Sequence, residues 1–232
     1  IFKHPISLKE HPKINDWLTL IEKEMKVSLA EWLTESFNEL AVFYLADDLD
    51  TPLFLNWIEK YPTQLVVVAS QIIWTQSVEK ALSTMEQTDR NDIAPLNNAL
   101  NCCLRALDLL ADTVLQDLPT TQRKKCEHLV TEIVHQRDLL RQLIKSKTSS
   151  PKDFEWLYQM RFYFNSSLED PLVRLTIRMA NAQFYYGYEY LGIPDRLVQT
   201  PLTDRCYLTL TQALEGRLGG SPFGRKYQIY YC

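Results

Sequence analysis

A chain of 232 residues with 46% apolar and 23% charged side chains can build a packed core, which excludes a disordered tail or a low-complexity spacer. A net charge of −4 without a long basic block gives a nucleic-acid role little electrostatic support, so no nucleic-acid partner is expected. Unbroken apolar runs such as Leu65 to Ala69 fall far short of the roughly 20 residues a bilayer span needs, and no membrane insertion is expected.

Six glycines against five Trp, nine Phe and twelve Tyr predict long elements with few tight turns. The five cysteines (Cys102, Cys103, Cys126, Cys206 and Cys232) have no paired spacing, and the first residues lack the order of a secretory signal. They read as reduced thiols of a cytosolic protein. The chain opens on Ile1, which predicts a piece of something longer.

Residues 1–13, with Pro5 and Pro12, read as irregular. From Asn15, Trp17, Leu20, Ile21, Met25, Leu29, Trp32, Leu33, Phe37, Leu40 and Tyr44 recur at three- and four-residue steps, the stripe of an amphipathic helix. Asn15 or Asp16 can cap it, and Asp47, Asp48, Asp50 and Pro52 end it. A short helix spans Pro52 to Lys60. Residues 63–84 read as a mostly buried helix, although Val66-Val67-Val68 could equally begin a strand. Two helices, 95–117 and 120–147, flank Leu118-Pro119, and so short a connection predicts antiparallel neighbours. Ser150 and Pro151 predict a further helix, as its cap and first residue.

After Phe164 the period changes to two. Val173, Leu175, Ile177 and Met179 alternate with Arg174, Thr176 and Arg178, and beyond Asn181-Ala182 the run Phe184, Tyr186, Tyr188, Tyr190 alternates again. This predicts a β-hairpin. A turn at Gly192–Asp195, a short strand at Leu197–Gln199 and a last helix from Thr200-Pro201 to about Leu218 complete the chain. The predicted architecture is mainly α: an antiparallel helical bundle, then a β-hairpin and the start of an α/β unit.

Several residues invite chemistry and have plainer explanations. Cys126, His128 and His135 suggest a metal, but positions seven apart on a helix lie about 10 Å apart along the axis, too far for one ion with bonds of roughly 2 Å. The histidines read as surface or packing residues. Asp47, Asp48 and Asp50 have no nearby glycine-rich loop or metal-ligand spacing, and read as solvated loop acids. The tyrosines at 185, 186, 188 and 190 could stack bases or bind peptide, but alternating aromatics on a hairpin make a packing face. Cys206 beside Arg205 reads as a buried structural thiol.

Specific strings point further. The run Phe154-Glu155-Trp156-Leu157-Tyr158-Gln159-Met160-Arg161-Phe162-Tyr163-Phe164 resembles the end of the linker in dynein heavy chains. Asn181-Ala182-Gln183-Phe184-Tyr185-Tyr186-Gly187-Tyr188-Glu189-Tyr190-Leu191-Gly192 resembles the start of their first AAA+ module, and Leu197-Val198-Gln199-Thr200-Pro201-Leu202-Thr203-Asp204-Arg205-Cys206 its first helix. Leu218-Gly219-Gly220-Ser221-Pro222-Phe223-Gly224 resembles what precedes the nucleotide loop in cytoplasmic members. A looser likeness runs upstream through Ile72-Ile73-Trp74 and Leu129 to Asp138.

The resemblance implies a dynein-linker-like bundle over 1–183 and the N-terminal start of the first AAA+ module over 184–232. It implies a minus-end-directed microtubule motor, with ATP and Mg2+ as cofactors of the parent and none for the fragment alone. Val198, Pro201, Leu202 and Thr203 would line the adenine side of the pocket, and Gly224 would be the remnant of the phosphate loop. Implied partners are the rest of the AAA+ ring, microtubules, a second heavy chain, and dynein intermediate, light intermediate and light chains, all at the cytoplasmic cytoskeleton. The pattern breaks after Gly224. The family continues as G-x-x-x-x-G-K-T, whose backbone N–H groups and Lys hold phosphate while its Thr holds magnesium. Here Arg225-Lys226-Tyr227-Gln228 follows, which predicts a truncated chain or misread gene without ATPase activity of its own. The alternative reading is a freestanding α-helical scaffold that binds partner helices. The 165–192 segment would be the joint of the motor, where Tyr188→Pro is expected to uncouple ATP turnover from gliding.

Overall fold

The structure is a computed structural model and describes residues 3–6, 13–44, 50–192 and 198–221. Asp47, Asp48, Gly224 and the 225–232 tail lie outside the described residues. Five helices come first: α1 (Ile14–Tyr44), α2 (Thr51–Lys60), α3 (Thr63–Gln87), α4 (Ala94–Val114) and α5 (Thr120–Lys145). A four-residue helix α6 (Phe154–Leu157) leads into strands β1 (Arg161–Phe164), β2 (Leu175–Met179) and β3 (Ala182–Tyr185), and α7 (Pro201–Glu215) closes the chain.

α3 is the spine. It buries sixteen residues and packs against α1, α4, α5 and β1, so apolar residues cover it on every side. That burial is why the Val66-Val67-Val68 run is helical: no strand partner is needed when three helices and a sheet enclose the segment. α4 and α5 present one stripe each, Leu96, Ala99, Cys103, Ala106 and Leu110 meeting Cys126, Leu129, Ile133, Leu140 and Leu143. Arg123 closes their connection by donating to the carbonyls of Val114 at 2.9 Å and Gln116 at 3.1 Å. α1 begins one residue before Asn15, which places Asn15 and Asp16 inside its first turn rather than at the cap. Asp50 caps α2, its carboxylate accepting from the Leu53 amide at 3.1 Å.

The 150–164 segment departs from expectation. Pro151 does not open a helix; the Asp153 carboxylate accepts from the amides of Ser149 (2.8 Å) and Ser150 (3.0 Å), which tightens a turn there, and helix is confined to Phe154–Leu157. Arg161–Phe164 is then taken into the sheet as its third strand. The order is β1-β2-β3, all antiparallel, with Phe162 opposite Ile177 and Ile177 opposite Phe184. The hairpin itself is as expected, turning at Ala180–Asn181 where Ala180 has a φ of 49°. Val198 and Gln199 form no strand, and Leu197 lies outside the described residues.

Side chains rivet the sheet to the spine. The Phe162 amide donates to Thr75 Oγ1 at 3.1 Å, and the Trp156 indole donates to Glu79 Oε1 at 3.2 Å. The Tyr163 hydroxyl donates to the same carboxylate. Trp74 and Trp156 pack with ring centroids 5.4 Å apart. Arg174 closes the long β1–β2 connection, donating to the Leu168 carbonyl at 2.7 Å and to Thr34 Oγ1 on α1 at 3.3 Å.

Candidate nucleotide-side site

Beyond β3 the described chain runs to Gly192, with positive φ at Tyr188 and Gly192. Phe184, Tyr186 and Tyr188 turn inward while Tyr185, Gly187 and Glu189 face out, so the alternation read in the sequence persists past β3. Tyr188 is fully buried with a φ of 50°, a left-handed conformation that bulky residues adopt only when their surroundings enforce it. Its ring meets Tyr186 edge-to-face at 4.9 Å. These aromatics are a packing face, with Tyr185 and Tyr190 left at the surface.

α7 begins with a reciprocal cap. Thr200 Oγ1 accepts from the Thr203 amide at 3.3 Å, and Thr203 Oγ1 accepts from the Thr200 amide at 2.7 Å. Pro201 occupies the first turn, where its missing N–H costs nothing. The Thr203 hydroxyl also donates to the Thr200 carbonyl at 2.8 Å, so the cap consumes it and leaves its methyl group for other contacts. Val198 and Leu202 are each 71% exposed. Of the four residues expected on the adenine side, Pro201, Leu202 and Thr203 share the first turn and Val198 lies just ahead of the cap. An exposed apolar pair beside fixed backbone is what a flat heteroaromatic base can stack on.

Pro201 also rims a cleft of about 320 Å³ with Asp204, Arg205 and Leu208 of α7 and with Gln142, Phe154 and Tyr158 of the bundle. Burial pushes the Asp204 carboxyl above its ordinary range, and His135 on α5 pulls it back. Further along, Gln212 donates to the Met179 carbonyl at the end of β2, 2.8 Å away. α7 buries no residue. Its Leu202, Cys206, Leu210, Leu214 and the following Leu218 recur every four positions as an exposed stripe, so Cys206 is a surface thiol and not a buried one.

Among the described residues no three His, Cys, Asp or Glu side chains are grouped to hold a metal. Cys126 is buried in the core of the bundle, and His128 lines a separate cavity beside Met160 and Ile177. Among the described residues no helix is long and apolar enough to cross a membrane. The residue that sequence reasoning missed is Gln64 in the first turn of α3. Its Nε2 donates to the Tyr186 hydroxyl at 2.6 Å and the Glu189 carbonyl at 2.8 Å, and its Oε1 accepts from the Leu191 amide at 3.1 Å. A polar residue before an apolar run was its only signal, and solvated first-turn residues give the same one.

Residues 186–226 match the family model described as the hydrolytic ATP binding site of the dynein motor region. Over 96% of its length the chain is 49% identical to the cytoplasmic dynein heavy chain of Drosophila melanogaster and 53% identical to that of Dictyostelium discoideum. Identity at this level over nearly the whole chain, with the family-model match, places it in a class: the chain belongs to the dynein heavy-chain family. Within that family it resembles the cytoplasmic chains more than mouse dynein axonemal heavy chain 2, to which it is 38% identical over 96% of its length. The chain spans about 5% of the cytoplasmic relatives' length and 4% of the axonemal one.

Proposed function

We propose that the chain is the C-terminal part of the mechanical linker of a minus-end-directed microtubule motor, residues 1–183, joined to the start of the first ATP-binding AAA+ module, residues 184–232. The single observation that carries this reading is the exposed apolar turn Val198–Thr203 at the head of α7, inside the segment matching a dynein ATP site and tied by Gln212 to a sheet riveted on α3. In this reading Val198, Pro201, Leu202 and the Thr203 methyl pack on adenine. Gly224 begins the phosphate side. ATP supplies the free energy, and a Lys-Thr pair beyond Gly224 would hold phosphate and Mg2+. No such pair follows Gly224 at that spacing here, so the chain alone is not proposed to turn over ATP.

The bundle suits a lever. Its helices of 25 and 26 residues, α3 and α5, are each about 40 Å long and packed side by side. The exposed leucine stripe of α7 would be covered by the remainder of the ring, the first partner of this segment. Microtubules, a second heavy chain and the intermediate, light intermediate and light chains are partners of the whole motor, at work in the cytoplasm.

The test is photolabelling of a full-length heavy chain carrying this segment with an azido-adenine nucleotide, followed by peptide mapping. Label in the peptide containing 198–203, abolished by excess ATP and weakened by Leu202→Arg, is the expected result. ATP-protected label confined to other peptides would overturn it.

A further inference from the structure

Residues 186–192 are the described chain that leads from β3 toward the nucleotide-side turn; the Tyr186 amide donates to the Leu175 carbonyl at 3.1 Å, and beyond it one side chain bonds the segment three times. Gln64 is 8% exposed, and every hydrogen-bonding atom it directs there is used: two N–H donors on the Tyr186 hydroxyl and the Glu189 carbonyl, one oxygen on the Leu191 amide. A Gln amide that donates on one edge and accepts on the other reads the direction of the backbone, so it grips this segment in one register only. The grip comes from the first turn of α3, the most buried helix of the bundle, packed against α1, α4, α5 and β1. Tyr188, left-handed and buried, lies between the gripped residues Tyr186 and Glu189 in the chain.

We propose that Gln64 is a positioning residue that transmits movement between the nucleotide side of α7 and the spine of the bundle, an inference that rests on the motor reading above. When nucleotide shifts Val198–Thr203, the pull passes through Leu191 and Glu189 to the head of α3. Without the grip, the nucleotide side moves and the lever does not follow.

The experiment uses a full-length heavy chain carrying this segment and two variants. Gln64→Met keeps the length of the side chain and loses all three bonds; Tyr186→Phe loses one. The readouts are exchange of the Leu191 amide, ATPase rate, and microtubule gliding velocity. Gln64→Met is expected to exchange Leu191 about tenfold faster, with ATPase retained and gliding slowed roughly fivefold. Tyr186→Phe should lie between it and the parent in the ratio of velocity to ATPase. Unchanged Leu191 exchange overturns the grip, and faster exchange with an unchanged ratio overturns its role in coupling. Should Gln64→Met fail to fold, the ratio in Tyr186→Phe decides alone: lowered supports the proposal, unchanged overturns it. Failure of the motor reading shows separately, as absence of ATP-protected label in 198–203 of the unsubstituted chain.

Discussion

Cys103 sits on the inner stripe of α4, where burial and the neighbouring Cys102 push its thiol up to about 12. Tyr163 is likewise pushed up to about 12, by burial and by its bond to Glu79. Both folded values lie above the unfolded ones. The stability these groups contribute is therefore complete below the unfolded pKa, near 9 for the thiol and 10 for the phenol, and is lost as pH rises toward 12. At pH 8 the Cys103 thiolate population is on the order of a thousandfold below that of a free thiol. Among the cysteines of the described residues, alkylation with mass-spectrometric mapping should find Cys206 labelled first and Cys103 last, with the Cys103 rate climbing about tenfold per pH unit. Early labelling of Cys103 at pH 8 would show that the α4 stripe opens. At this scale the sequence was informative for apolar residues and silent on polar ones. Leu29, Leu33 and Leu40 declare their burial by spacing, whereas Gln64 takes its meaning from Glu189 and Leu191, more than a hundred positions away.

α2 ends where a cation from another helix meets it. Lys125 on α5 donates to the carbonyls of Ile58 (3.0 Å), Glu59 (2.9 Å) and Tyr61 (2.7 Å), satisfying groups that a helix C-terminus leaves unpaired and complementing its dipole. Lys125→Met is expected to cost about 1–2 kcal/mol in urea unfolding, with faster amide exchange at the end of α2. A change below about 0.3 kcal/mol would mean that water replaces the ammonium at no cost. Two helix starts were legible because they follow local chemistry, Pro119 before Thr120 and Thr200 before Pro201, whereas the cap that Asp50 provides for α2 was read as a solvated loop acid. β1 was not legible. Ser150-Pro151 is a sound helix start by propensity, but four residues of β1 gain the free edge of β2 and an anchor on Thr75, and that tertiary gain outweighs a local preference.

Across the whole molecule, burial is graded from the bundle to α7. α3 buries sixteen residues and α7 none, while α7 is held by Gln212, its cap and one side of a cleft. In the isolated chain, amides in the middle of α7 should exchange at least about a thousandfold faster than those of α3 between Leu65 and Leu82. Equal protection would mean that α7 folds with the bundle as one unit and that its leucine stripe needs no cover. The sequence by itself determined the class of fold, the long helices, the hairpin and the family, because periodicity, caps and extended specific strings are properties of neighbours along the chain. Only the tertiary structure decided that β1 joins the sheet, that Cys206 is exposed and that Gln64 grips the chain beyond β3. Each of those depends on which surfaces meet, and packing energy is set by contacts between residues that the order of the sequence keeps apart.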